Sequence, residues 1–204
     1  MTPTSRRGSA TAGLIILLLV AFATPAASQP TECQGHALTQ RGTQGNDTLR
    51  GYDNVRDSIA GWGGDDTIYG LGLGDWLCGN EGSDDISGDD GPDVVNGGAG
   101  VDYIWGFAGN DGTLFGGSNG DAIVSGGSGG DVIEGNLGND YLFGDGGDDT
   151  IRGNEDNDTI YDGYGHDAPY GNAGFDSWAQ CDDGDTTEVP NGIEYIANPR
   201  SDYC

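Results

Sequence analysis

The sequence predicts an all-β protein, a parallel β-roll solenoid of two-unit coils, and three observations predict it. A unit of nine or ten residues that opens on glycine in all but one copy recurs fifteen times between Gly42 and Ala179. Each unit carries one aspartate just ahead of a short apolar segment. The apolar residues sort by the parity of their unit into two stripes whose members stand 18 or 19 residues apart. Fixed self-similarity of this kind marks a stack of repeats, each burying its apolar face against its neighbours.

The elements follow in chain order. Arg6 and Arg7, the apolar run Leu14 to Phe22 and the small residues Ala26, Ala27 and Ser28 read as a secretory signal peptide over 1–28. The run is too short for a comfortable transmembrane helix, so the mature chain is expected to begin near Gln29, to be secreted and to contain no membrane span. An N-terminal arm follows over 29–41, then the repeats over 42–179 and a C-terminal cap over 180–204. Cys33, Cys78, Cys181 and Cys204 fit two disulfides in an oxidising compartment. Three pairings satisfy that count. In one of them Cys181–Cys204 closes the cap and Cys33–Cys78 ties the arm to the repeats.

Within the repeats the first stripe is Leu49, Ile68, Ile86, Ile104, Ile123, Leu142, Ile160 and Trp178, and the second is Ile59, Leu77, Val95, Leu114, Ile133, Ile151 and Pro169. Each coil then holds two glycine-rich turns and two very short strands, with one residue of each strand inward and its neighbours outward. Stacked coils give two parallel sheets over a thin core. Two buried aliphatics per coil do not offset the entropy of ordering eighteen glycine-rich residues, so something besides the core must hold the stack.

Charge names the missing component. The chain carries 34 acidic residues against 7 basic ones, all of them arginine, for a net charge of −27. Loss of Arg6 and Arg7 with the signal takes this to −29. Such a balance excludes nucleic acid and anionic membrane surfaces as partners, because those need clustered basic residues. It calls for a multivalent cation. Carboxylates with turn carbonyls suit calcium, a hard ion taking six to eight oxygen ligands, whereas zinc would want His or Cys. The candidate ligands are the unit aspartates Asp47, Asp66, Asp75, Asp84, Asp93, Asp102, Asp111, Asp121, Asp131, Asp140, Asp149 and Asp158. In a roll, an aspartate and its counterpart one coil on would face one ion, which allows at most thirteen inter-coil sites across fifteen turns. Thirteen Ca²⁺ would nearly cancel the mature charge.

Units such as GGSGGDVIE, GNLGNDYLF and GDGGDDTIR resemble the repeats-in-toxin (RTX, haemolysin-type) nonapeptide GGxGxDxUx. The resemblance covers about two thirds of the chain. It implies a parallel β-roll with several Ca²⁺ ions between turns, folding on arrival in a calcium-rich exterior. Some units depart from the pattern. GYDNVRDSIA has an insertion and sets Arg56 beside Asp57, which disfavours a cation there, and insertions in GFAGNDGTLF and GGSNGDAIVS are expected to bulge the roll. DGYGHDAPY lacks the leading glycine and places Pro169 inward, so that end is expected to fray. The N-terminal signal also differs from the C-terminal one general in the family's toxins, which argues against a toxin.

Catalysis is not expected. GxSxG around Ser118 and Ser128 arises freely in glycine-rich repeats, and no helix follows either serine. HExxH is absent, and His36 and His166 are the sole histidines. A row of outward aromatics on the sheet of the first stripe, Tyr69, Trp105, Phe143 and Tyr161 with Trp76, Tyr103 and Tyr141 nearby, makes adhesion to a cell surface or glycan the alternative function.

Overall fold

The computed structural model describes residues 32–121, 123–179 and 193–197. The expected signal peptide, Cys181, Cys204 and, apart from 193–197, the expected cap lie outside the described residues. Among the described residues every regular element is a strand, and no helix is long and apolar enough to cross a membrane.

The chain opens with a small antiparallel hairpin of β1 (Glu32–Cys33) and β2 (His36–Ala37). Every strand after it belongs to one of two parallel sheets, and consecutive strands alternate between them from β3 to β18, with β19 added beside β18. One sheet contains β4 (Thr48–Arg50), β6 (Thr67–Gly72), β8 (Asp85–Asp90), β10 (Tyr103–Ala108), β12 (Ile123–Ser128), β14 (Tyr141–Gly146), β16 (Thr159–Tyr161), β18 (Asp176–Ala179) and β19 (Ile193–Ala197). The other contains β3 (Gln40–Arg41), β5 (Ser58–Gly63), β7 (Trp76–Glu81), β9 (Val94–Ala99), β11 (Thr113–Gly117), β13 (Val132–Leu137), β15 (Thr150–Glu155) and β17 (Ala168–Ala173). Two turns and two strands make one coil, so the chain is the β-roll that the period predicts.

Most strands of the roll are six residues long, longer than the very short strands expected, because each of these runs past its apolar triplet into the glycine that opens the next unit. The second residue of that unit then turns the chain with a positive φ. Gly98, Gly117, Gly127 and Gly163 do so without a side chain, Asn80, Asp89, Asn136, Asp145, Asn154 and Asn172 with a short polar one. Trp62, Leu71 and Phe107 do so against the preference of bulky residues, at φ 89°, 86° and 72°.

Inside lies one row of aliphatic side chains per sheet, and the two rows meet. Ile59, Ile68, Leu77, Ile86, Val95, Ile104, Leu114, Ile133, Leu142, Ile151 and Ile160 are fully buried, with Leu49 packed against the N-terminal end and Trp178 at the other. The inward residue of one unit differs from expectation. Val124 pairs with Ile104 and is fully buried, whereas Ile123 faces partly outward. The extra residue of that unit falls between Asp121 and the strand, and a shift of one residue reverses which side chain points in.

Both ends of the roll are finished. At the start, Cys33 and Cys78 form a disulfide with a Cα–Cα distance of 5.8 Å, burying Ala60 beside them with Leu38 and Trp76 packed against the cluster. His36 stacks on Trp76 at 3.5 Å between ring centroids. The expected arm therefore lies against the second sheet and supplies its first strand, β3. At the other end the unit expected to fray is closed: β17 pairs with β15 from Ala168 to Ala173, with Pro169 buried in an edge strand where its missing N–H costs no ladder bond. Asp162 stands where other units have a leading glycine, and its Oδ2 accepts the Trp178 indole N–H at 2.7 Å. That bond satisfies the polar edge of the aromatic ring that ends the core.

Candidate metal centre

The sixth position of the regular unit falls at the end of each turn, just before the strand, so the stacking that aligns the strands also aligns the aspartates. They form two ladders. Within each, the main-chain N–H of one aspartate donates to Oδ1 of the aspartate one coil later. The first ladder runs from Asp47 to Asp66, Asp84, Asp102, Asp121, Asp140, Asp158 and Asp176 with N···O distances of 2.7–3.1 Å. The second runs from Asp57 to Asp75, Asp93, Asp111, Asp131, Asp149 and Asp167 at 2.7–2.9 Å. All twelve expected ligands stand in these ladders. Asp57, Asp167 and Asp176, which were not among them, stand there too. The insertion and Arg56 beside Asp57 had argued against a cation there; the extra residue is absorbed in the turn ahead of Asp57, which keeps its rung in the ladder.

A second, outer ladder crosses the first in the opposite sense. The side chains of Asn46, Asp65, Asn110, Asn139, Asp148 and Asn157 accept main-chain N–H groups one coil later at 2.8–3.2 Å. The sequence signal for it is the Asn or Asp that often precedes the unit aspartate.

Oδ1 is thereby occupied, and Oδ2 decides the chemistry. In Asp66, Asp75, Asp84, Asp93, Asp102, Asp111, Asp121, Asp131, Asp140, Asp149 and Asp158 it is buried without a hydrogen-bond donor. These residues are at most 2 % exposed. A buried carboxylate oxygen with no donor is costly, and burial accordingly raises the acids. Asp93 and Asp140 are pushed up to about 8, Asp84, Asp102, Asp149 and Asp158 to about 7, and Asp75, Asp111 and Asp121 to about 6. Asp66 and Asp131 also rise. The main-chain hydrogen bond to Oδ1 pulls each down, and neighbouring carboxylates raise most of them further.

The open oxygen points into the turn, toward its own leading glycine. A methyl group on Gly70 would stand 2.7 Å from Asp75 Oδ2 and 2.7 Å from the carbonyl oxygen of Gly88 in the next coil. On Gly126 it would stand 2.6 Å from Asp131 Oδ2 and 3.0 Å from the Gly144 carbonyl. A carboxylate oxygen and a main-chain oxygen from adjacent coils thus face one point, which explains why this position must be glycine. The arrangement differs from the expected pair of carboxylates on one ion. Among the described residues no three His, Cys, Asp or Glu side chains converge, so a cation here would draw on main-chain carbonyls for most of its ligands. A hard oxygen-only donor set with an orphaned anionic oxygen fits calcium and gives zinc nothing to prefer.

Asp47 and Asp57 stand apart. Asp47 Oδ2 accepts the N–H of Thr43 at 2.6 Å and its hydroxyl at 2.8 Å. Asp57 Oδ2 accepts the N–H of Tyr52 at 2.7 Å, and its Oδ1 accepts the Thr39 hydroxyl at 2.9 Å, Thr39 taking the place of a preceding aspartate.

The family described as the RTX calcium-binding nonapeptide repeat (4 copies) matches residues 41–54, 56–77, 79–112, 116–151 and 143–177. No curated protein matches the chain.

Proposed function

We propose that this chain, which belongs to the RTX calcium-binding nonapeptide repeat family, works outside the cell as a roll folded by several calcium ions, with no catalytic activity of its own. The observation that carries this reading is the row of eleven buried aspartates whose Oδ2 has no donor. Bound calcium would neutralise these oxygens and bridge adjacent coils, supplying the cohesion that a core two side chains wide lacks. Asp66 to Asp158 in the two ladders would hold the ions with the carbonyls of the leading glycines. Export agrees with Arg6, Arg7 and the apolar run after them and with the Cys33–Cys78 disulfide. A role without catalysis agrees with the setting of the serines: Ser128 Oγ donates to the Phe107 carbonyl at 3.4 Å, while His36 is engaged with Trp76.

Calcium titration of the chain from Gln29, followed by native mass spectrometry and far-ultraviolet circular dichroism, tests the reading. Several ions are expected to bind as β structure appears. A chain that binds no calcium and gives the same spectrum with and without it would overturn the proposal.

A further inference from the structure

The outward face of the sheet containing β4 to β18 has a pattern that calcium binding does not use. Strand register sets Tyr69, Ser87, Trp105, Ser125, Phe143 and Tyr161 in one row along the stack. Aromatic rings therefore recur at every second coil from Tyr69 through Trp105 to Phe143, a spacing of about 9.6 Å at two strand separations. Serines fill the coils between. A second row brings Tyr103 and Tyr141 beside Trp105 and Phe143, and these are 43 % and 50 % exposed. Tyr103 and Trp105 lie near parallel at 5.9 Å, and Phe143 and Tyr161 at 4.7 Å, each pair stacked, so the ring planes are fixed and each ring keeps one face outside its pair. Phe107, 51 % exposed, extends the same strand outward from a backbone conformation that most other units give to glycine, asparagine or aspartate.

The polar groups between the rings are paired. Ser87 donates to Asp89 at 2.6 Å and Ser125 to Asp145 at 2.5 Å. Among the described residues the one cation on the face is Arg50 at its N-terminal edge, over the ring of Tyr69. The core of a protein–protein interface is depleted of charged residues, and here Ser–Asp pairs set carboxylates between the rings. An anionic polymer would meet carboxylates. A regularly repeating surface of flat rings alternating with hydroxyl and carboxylate groups complements a regularly repeating ligand whose units have an apolar face and a rim of hydroxyls. We propose that this face binds an uncharged β-linked polysaccharide laid along the stack. The proposal rests on the calcium-folded roll as its scaffold and names that roll's partner.

The test is affinity electrophoresis of the calcium-loaded full chain in gels containing hydroxyethylcellulose, laminarin or polygalacturonate. At least one of the two neutral β-glucans is expected to retard the chain, and polygalacturonate is not. Trp105→Ala is expected to weaken retardation at least tenfold and Tyr141→Ala, at a more exposed ring, at least threefold. Tyr170→Ala on the opposite sheet is expected to change nothing. Circular dichroism and calcium stoichiometry of each variant report separately on the scaffold, so loss of binding with both unchanged locates the effect on the face. Free passage through both neutral gels, equal retardation by polygalacturonate, or retention unchanged in Trp105→Ala and Tyr141→Ala would overturn the proposal. So would a dimer of the chain in light scattering that Tyr141→Ala dissociates, since the face would then be covered by a second copy.

Discussion

The first coil and the middle coils set the same aspartate at the same place in the turn and treat its second oxygen differently. In the first coil the chain itself supplies the donor, from Thr43 to Asp47 and from Tyr52 to Asp57. In the middle coils the oxygen of Asp84, Asp93 or Asp140 has no donor. Backbone conformation goes with this difference. Thr43 and Tyr52 avoid the positive φ that the second residue of every later unit adopts, from Trp62 to Asn172. One repeat motif therefore serves two ends: a turn that closes on its own N–H groups, and a turn that leaves an anionic oxygen for an ion. The first coil is also the one covered by the hairpin, which Cys33–Cys78 ties across Ala60 to the strand of the second coil. The comparison casts it as a metal-independent base on which metal-dependent coils are stacked.

Calcium removal should separate the two regions most sharply. With a chelator at neutral pH, amide exchange is expected to accelerate by orders of magnitude at Asp84, Asp93 and Asp140, while the Thr43 and Tyr52 amides keep measurable protection. Equal loss in both regions would break the comparison.

Removing the disulfide comes next. Cys33 and Cys78 close a loop with a sequence separation of 45, for which chain entropy predicts about 4 kcal/mol. Cys33→Ser with Cys78→Ser should therefore abolish the residual protection of the first coil in chelator, yet leave the calcium-loaded middle coils protected.

Single aspartates should differ by position. Asp93→Ala strips the acceptor from the Asp75 N–H and is expected to destabilise the calcium-loaded roll by about 1–3 kcal/mol and lower the ion count in native mass spectra. Asp47→Ala, partly exposed at the edge, should cost less and leave the ion count unchanged.

Acid should imitate the ion. Without calcium, the folded roll holds Asp93 and Asp140 at about 8 and Asp84 and Asp149 at about 7, above their unfolded value near 4. The folded state then binds more protons, so stability is fullest below about pH 4 and is lost as pH rises through about 6 to 8. Circular dichroism of the metal-free chain should show β structure increasing as pH falls from 8 to 4, with the calcium requirement rising in parallel as protons compete. A metal-free chain equally unfolded at pH 8 and pH 4 would contradict the burial assigned to these groups.

The smallest effect concerns the turn itself. Leu71→Gly relieves a positive φ of 86° and should stabilise the loaded roll by about 1 kcal/mol, measured as a rise in melting temperature.

Much of this was legible in the sequence because one period carries it. Two stripes at 18 or 19 residues fix the coil, and the aspartate two residues ahead of most apolar positions fixes where carboxylates line up. Val124 in place of Ile123 was not legible, because an extra residue on either side of the inward position leaves the same composition. Nor was the fate of each oxygen. Whether a turn amide or an ion meets Oδ2 depends on φ at the unit's second position, and Thr43, Tyr52, Trp62 and Leu71 do not announce by type which of them will adopt it. Asp162 was read as a missing glycine, and its bond to Trp178 becomes visible only when the last coil is closed.

The rungs of both ladders all point one way. Each carboxylate reaches back to the amide of the coil before it, so a coil just laid down brings the acceptor its predecessor was waiting for and exposes a fresh donor. A stack assembled by that rule has a growing end. Extension from the first coil completes one bond at a time in the order in which a chain emerging N-terminus first presents its units, as far as the rung from Asp158 to Asp176.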